Sequence, residues 1–400
     1  MRIAFLLTQS LESPSGLGRY WPLARELVRA GHSVTILALH HDYASLHQRR
    51  FARDGVEVRY VGQMHVLKQG SDKLYFGPGK LLTVTALSTW RLMIAALKLP
   101  VDAYQLGKPH PMNGLAVLLP HLARGKPVFL DCDDYEAASN RFAGPWQRRT
   151  VALFEDHLPK VATGITTNTR FTLERLNRLG YPSERIVYVP NGIDRDRFSG
   201  VDGSAVEALR CELGLGARKV VLYVGSLSLA SHAVDLLLQA FVRVQQADPQ
   251  SCLLLVGGGE DYGRLDAWAR ELGLGDSVRF VGRVPADMVP AYYGLARVTV
   301  DPVHDDPASQ ARFPLKLVES LGLGIPVVTG QVGDRPALLS SGGGLLVTPG
   351  DAVALAEGIL TILGDDALHA CLSEQALQVR ERYYWDRLVQ DFARVYQVCP

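Results

Sequence analysis

Two α/β domains, each a parallel sheet with helices on both faces, are predicted by this chain, and three observations carry the prediction. Its 400 residues exceed one ordinary core and suit two domains of about 200 residues. Short apolar runs alternate with helical-period segments from end to end, and strand–helix–strand alternation builds a parallel sheet covered on both faces. Near the midpoint Pro190, Asn191 and Gly192 follow an apolar run. Pro fixes its own φ and Gly or Asn tolerates positive φ, so regular structure breaks there. A turn cluster between two similar halves reads as an interdomain hinge.

In the first half the runs at 3–7, 34–39, 56–60, 103–106, 128–131, 164–167 and 186–189 read as strands. Amphipathic stretches at 19–30, 113–123 and 170–179 read as helices, with Gly31 and Gly180 at C-terminal cap positions. The run at 3–7 is shorter than the ~7–15 residues of a signal-peptide core, so it is a first strand rather than a leader. Residues 81–99 are more apolar, yet Arg91 and Lys98 interrupt them, and a spanning helix needs ~20 predominantly apolar residues. They read as a packed helix that does not span, with room for part of it to rest on a membrane surface.

The second half repeats the pattern, with strands at 220–224, 252–256, 278–281, 297–300, 326–329 and 345–347. Helices are expected near 234–246, 262–272, 315–322 and 352–363, and an amphipathic stretch at 384–398 carries Trp385 and Tyr396. The domains expected are 1–190 and 191–383, followed by a terminal helix at 384–400. Lys plus Arg (42) balance Asp plus Glu (41), which predicts no nucleic-acid partner. Cys132, Cys211, Cys252, Cys371 and Cys399 are scattered with no C-x-x-C pair. That pattern favours reduced thiols and a cytoplasmic setting over a disulfide framework or a zinc site.

Ligands of parallel α/β sheets bind beyond the carboxyl ends of the strands, so the loops there carry the candidates. Ser15-Gly16-Leu17-Gly18 follows the first strand, and Gly16 and Gly18 would let backbone N–H groups approach an anion, or would only make a turn. Asp131-Cys132-Asp133-Asp134-Tyr135-Glu136 follows the fifth strand. Carboxylates clustered at a strand end invite bonding to sugar hydroxyls or a raised pKa on one of them, which makes Asp133 and Asp134 catalytic candidates. His110, in Lys108-Pro109-His110-Pro111 after the fourth strand, is a third, although a lone His is more often structural. In the second half Gly257 and Gly258, after a buried strand, suit close approach by a nucleotide, and Arg283 follows the next strand end.

The most chemical segment is 312–328. Pro314 suits the first turn of a helix, whose N-terminus offers free N–H groups and a positive dipole end to phosphate. Arg312, Leu315 and Lys316 cluster at that end, and Glu319 lies three residues after Lys316 on the same face. A cation for phosphate beside a carboxylate for ribose hydroxyls would clamp a nucleoside diphosphate. The bland alternative is a surface ion pair worth ~0.2–0.5 kcal/mol.

The segments 188–198 and 312–328 resemble the hinge and the second half of the Glu-x7-Glu motif of glycosyltransferase family 4. The resemblance runs from the Ser-Gly-Leu-Gly loop to the Trp385 stretch. It implies the GT-B fold: two Rossmann-like α/β domains whose parallel sheets face a central cleft, with the terminal helix crossing back onto the N-terminal domain. It further implies a metal-independent transferase with no cofactor, moving a sugar from a nucleoside-diphosphate sugar to an acceptor hydroxyl with retention of configuration. The acceptor would be a saccharide or lipid-linked molecule of the cell envelope, held by the N-terminal domain. The setting would be cytoplasmic, with room for peripheral contact at the inner face of the membrane. Glu319 takes the ribose-binding place, and the Gly-rich loops at Gly16 and Gly225 the places near the donor phosphates.

Three departures stand out. The first Glu of the motif falls on Ala311, the family's Gly-Arg-Leu reads Gly225-Ser226-Leu227, and its Lys-Gly reads His232-Ala233. Arg312, Lys316 and His232 are the residues available to replace the two lost cations, and Asp305 or Asp306 the lost carboxylate. The same gaps motivate a second reading, a noncatalytic paralogue that binds nucleotide or sugar as a partner subunit. A GT-B epimerase or phosphorylase is a third.

Overall fold

The computed structural model describes every residue except Gly70, Ser71, Ala143, Ser199, Cys399 and Pro400; the thiol of Cys399 and the start of the segment after the hinge therefore lie outside the described residues. In the N-terminal half the strands are β1 (Arg2–Leu7), β2 (Ser33–His40), β3 (Arg50–Arg53), β4 (Val56–Gln63), β5 (Val66–Gln69), β6 (Asp72–Tyr75), β7 (Ala103–Gly107), β8 (Val128–Cys132), β9 (Gly164–Thr167) and β10 (Ile186–Tyr188). Eight of them form one sheet in the order β10-β9-β8-β7-β1-β2-β4-β3. All its pairings are parallel except β3 with β4. The C-terminal half contributes β11 (Lys219–Val224), β12 (Ser251–Val256), β13 (Val278–Gly282), β14 (Ala296–Asp301), β15 (Val327–Gly330) and β16 (Gly344–Val347), in the order β13-β12-β11-β14-β15-β16 and wholly parallel.

The central strands are buried on both faces, as continuous apolar runs require. Each half has separate apolar clusters on the two sides of its sheet. The edge strand β3 and the β5–β6 hairpin have no counterpart among the predicted strands. Arg-Phe-Ala-Arg at an edge and the polar hairpin carry charge rather than an apolar run, which is how edges avoid pairing with other chains. The helix expected at 19–30 is in two parts: a wide π-type turn at Gly16–Tyr20 and a helix at Trp21–Arg29. The apolar helix Pro78–Lys98 buries only Ser88, Leu92 and Ala96, so it is far less enclosed than a packed helix.

The terminal helix Trp385–Ala393 packs onto the N-terminal core, where Trp385, Phe392 and Val395 join the cluster of Ile3, Phe5 and Phe129. Trp385 Nε1 donates to Gly18 O at 2.9 Å, and Tyr396 Oη donates to Gln105 Oε1. A backbone bridge joins Ile193 to Tyr384. Chain leaving the first half and chain returning to it thus run side by side.

Candidate active site

The carboxyl ends of β1, β7 and β8 and those of β11, β12 and β13 open onto one cleft of ≈ 1690 Å³. Cys132, Cys211, Cys252 and Cys371 are free thiols, and none of them lines it.

On the C-terminal side, three strand-end loops lie backbone to backbone. Gly225 N donates to Val256 O and Gly257 N to Gly282 O. A Cβ on Gly257, whose φ is +139°, would sit 1.9 Å from Gly225 O. Gly257 is therefore demanded by the neighbouring loop. Together with Gly225, Gly258 and Arg283 it still borders the cleft.

Pro314 caps the helix rather than starting it, and the helix is Leu315–Gly322 with no side chain on its first N–H groups. Lys316, expected as a cation for phosphate, already has a buried carboxylate partner. Its ammonium donates to Asp301 Oδ1 at 2.9 Å, while Arg335 binds the other carboxylate oxygen through Nε, also at 2.9 Å. Burial pushes the Lys316 pKa below its ordinary value, with Asp301 opposing. Asp301 is held below the carboxylate range by these two cations, which outweigh its own burial. Asp301 and Arg335 escaped the sequence reading, although a carboxylate closing the buried strand β14 was a visible signal.

The cation left over is Arg312. Its Nη2 is buried with no hydrogen-bond partner, an arrangement that costs free energy until an acceptor arrives. One carboxylate faces Lys316, Arg335 and Arg312, so the cluster carries net positive charge into the cleft. His232 bonds Ser231 Oγ, and burial, then Arg312 and Lys316, push its pKa well down. It is a neutral donor or acceptor and replaces no cation. Glu319 accepts from Tyr293 Oη at 3.0 Å and borders the same cleft, its pKa raised by burial.

Two expected substitutes for the lost carboxylate are turned elsewhere. Asp305 accepts from Gln310 Nε2, and Asp306 caps the turn Pro307–Gln310 through Ser309 N. Ala311 is buried and its methyl side chain offers no acceptor.

On the N-terminal side the first-strand glycines do not line the cleft. A Cβ on Gly16 would strike Ser10 O at 2.3 Å, and one on Gly18 would strike Leu315 Cδ1 of the other half at 2.6 Å. Their smallness serves loop closure and the contact between halves, while Ser13, Ser15 and Leu17 face the space. Leu315 is thus engaged with Gly18 as well as bordering the cleft.

Asp133, Asp134 and Glu136 converge on Lys108, whose Nζ lies 3.2 Å from Asp133 Oδ1 and 2.8 Å from Asp134 Oδ2 and also bonds Glu136. Those three carboxylates could together hold a metal ion, but the Lys108 ammonium stands at their centre. Lys108 takes φ +116°, a conformation that costs a non-glycine residue about 1–3 kcal/mol and collects at functional sites. Asp133 is buried, its Oδ1 has the Lys108 ammonium beside it but no aligned hydrogen bond, and burial with Asp134 and Asp131 pushes its pKa up to about 7 against the pull of Lys108. His110 caps the helix Pro111–Arg124 and borders the cleft, with its pKa driven down to about 4 by burial and by Lys108. It is neutral at physiological pH.

A buried network joins the two sides through the hinge. Arg19 binds both oxygens of Asp131 at 2.7 Å and donates to Asn191 Oδ1 at 3.0 Å. Asn191 Nδ2 in turn donates to Phe313 O at 2.7 Å. These bonds link the end of β8, the hinge and the loop before the Leu315–Gly322 helix.

Comparison with known proteins agrees with this layout. Residues 15–192 match the family described as "Glycosyl transferase 4-like domain", and residues 218–365 match "Glycosyl transferases group 1". The chain belongs to the group 1 glycosyltransferases. Solved members of this fold align over nearly its full length. A sucrose-phosphate synthase from Thermosynechococcus elongatus covers 99% of the chain and 98% of its own at TM-score 0.79 and 20% identity. HepE of Anabaena, crystallised with UDP and glucose, covers 99% of both at TM-score 0.73 and 20% identity. At such identities the likeness is one of fold, and the fold is GT-B.

Among sequence relatives, a GDP-mannose-dependent alpha-(1-6)-phosphatidylinositol monomannoside mannosyltransferase of Mycolicibacterium smegmatis is 31% identical over 203 residues, 50% of this chain and 52% of its own. A D-inositol 3-phosphate glycosyltransferase of Salinispora arenicola is 30% identical over 60% of this chain and 56% of its own. The match spans about half the length of these relatives.

Proposed function

We propose that this group 1 glycosyltransferase moves a sugar from a nucleoside-diphosphate donor to an acceptor hydroxyl. The buried, partnerless Nη2 of Arg312, beside Lys316 and the open N–H groups of the Leu315–Gly322 helix, carries the reading. Negative charge grows on the departing diphosphate in the transition state, and fixed donors there cost no reorganisation when it does. Asp301 and Arg335 hold Lys316 in place. Glu319, which borders the same cleft, would accept the ribose hydroxyls.

Across the cleft, the Asp133 carboxylate, beside the Lys108 ammonium, accepts from the acceptor hydroxyl, and a pKa near 7 suits a group that takes and returns a proton at neutral pH. Lys108 fixes that carboxylate's neighbours, and neutral His110 supplies a further hydrogen bond. The Lys108 ammonium takes the place of a cation among Asp133, Asp134 and Glu136. Retention of configuration belongs to the same proposal and follows from the family. So do a cytoplasmic setting and closure about the hinge to exclude water from the donor.

The noncatalytic reading rests on Ala311, Ser226 and His232, and the surviving cation cluster weighs against it. The deciding assay follows release of nucleoside diphosphate from UDP-glucose and GDP-mannose in EDTA, with the R312A/E319A double variant as control. Release that the double variant lacks supports transfer chemistry. No release from these donors, with nucleotide binding intact, turns the assignment to the noncatalytic paralogue.

A further inference from the structure

We infer that one arm of the cleft is a groove for the hydrocarbon chain of an amphiphilic acceptor; this rests on the transferase reading and names its acceptor class. The groove starts from the helix Pro78–Lys98. Its most apolar stretch is only 17% buried, an unusual state for a helix without a partner on its apolar side. Leu82, Ala86, Trp90 and Met93 follow one another at intervals of three or four and all border the cleft. That spacing places them in one stripe about 16 Å long.

A second wall comes from the helix Pro145–His157, where Trp146, Thr150 and Val151 border the same cleft at matching helical spacing. The helix Pro111–Arg124 touches both of the others and contributes Met112 and Leu115. Trp90 and Trp146 are 58% and 59% exposed, as expected for aromatic side chains at a mouth open to solvent.

Continuity fixes the occupant. His110 caps the helix that supplies Met112 and Leu115, so the groove begins one turn from the Lys108–Asp133 cluster. A molecule whose hydroxyl reaches Asp133 lays whatever follows its polar head along the stripe of Leu82, Ala86, Trp90 and Met93, and a hydrocarbon chain matches that apolar stripe. The charge agrees with delivery from an anionic bilayer. Neither Pro78–Lys98 nor Pro111–Arg124 contains an Asp or Glu, while Lys80, Arg91, Lys98 and Arg124 lie on them. Leu118 and Leu122 extend the exposed apolar surface outward.

Octyl, decyl and dodecyl glucoside, each kept below its micelle concentration, are the probes, and calorimetric titration of the full chain reads their affinity. Burying one more methylene is worth about 0.8 kcal/mol, so affinity rises up to about 4-fold per carbon. The A86W and T89W variants, which fill the groove and touch no catalytic group, are expected to flatten that dependence while leaving nucleoside-diphosphate binding unchanged. Equal affinity for the three glucosides overturns the groove, as does an unchanged dependence in both variants. Equal binding of wild type and A86W to 7:3 phosphatidylcholine–phosphatidylglycerol vesicles with a flat glucoside series also overturns it, in favour of simple surface adsorption. A chain-length dependence without any nucleoside-diphosphate binding leaves the groove standing and sinks the donor reading instead.

Discussion

Removing the Arg312 guanidinium separates a binding role from a structural one. Its Nη2 makes no hydrogen bond, and its attraction to Asp301 is offset by its repulsion of Lys316. Arg312→Ala therefore takes nothing from the folded protein at that atom, and stability is expected to stay within about 0.5 kcal/mol. A bound diphosphate loses a charge-assisted hydrogen bond worth about 1.5–3 kcal/mol, which weakens its Kd about 10- to 150-fold. Lys316→Ala is the contrast, because it strips Asp301 of one of two cations at a side chain only 2% exposed. It is expected to lose stability by about 1–3 kcal/mol as well as affinity. Urea unfolding and calorimetric titration with UDP and GDP read both quantities. A drop of more than 2 kcal/mol in R312A, or an unchanged Kd, would refute the reasoning.

Three other outcomes are expected. Lys108→Ala leaves Asp133, Asp134 and Glu136 without their cation, which costs about 3–5 kcal/mol. Millimolar Ca²⁺ then raises the Tm of the variant and not of the wild type, and a variant as stable as wild type with no Ca²⁺ response contradicts the ammonium's role. Asp133 keeps its proton up to about 7 in the folded state against 3.8 ordinarily, so the folded form binds more protons between those values. Stability falls as pH rises through that window, at about 1.4 kcal/mol per unit from this group, and is level above it. Asp133→Asn should flatten the profile in parallel urea titrations, and an identical slope in both proteins would remove the claim. Gly257→Ala drives a methyl into Gly225 O, backbone that cannot move aside. Circular dichroism melting should show at least a several-degree loss of Tm, and a native-like melt would mean that the loops are looser than described.

The sheets were legible in the sequence because their strands are short, continuous apolar runs. All six in the C-terminal half and seven in the N-terminal half appear within a few residues of the predicted positions. Strands β3, β5 and β6 were not, since charged and polar edge segments carry no apolar period. Site residues show the same division. Asp133 and His110 follow strand ends, Arg312 precedes a helix and Glu319 lies one turn into it, and position together with residue chemistry and the motif nominated them. What each one does depends on partners that local pattern does not reveal: Asp131 meets Arg19 across 112 residues, and Asp301 meets Arg335 across 34. Gly16 and Gly18 show the converse. Their spacing suggested a phosphate loop, while the space they free is taken by Ser10 and by Leu315 of the other half.

The donor site in the C-terminal half is the centre of this account. It is tested most directly by titrating UDP and GDP, in EDTA, into the wild type and into Glu319→Ala. The expected result is saturable binding of one diphosphate by the wild type, weakened at least tenfold in the variant. Binding of neither diphosphate, or equal binding by both proteins, would contradict it.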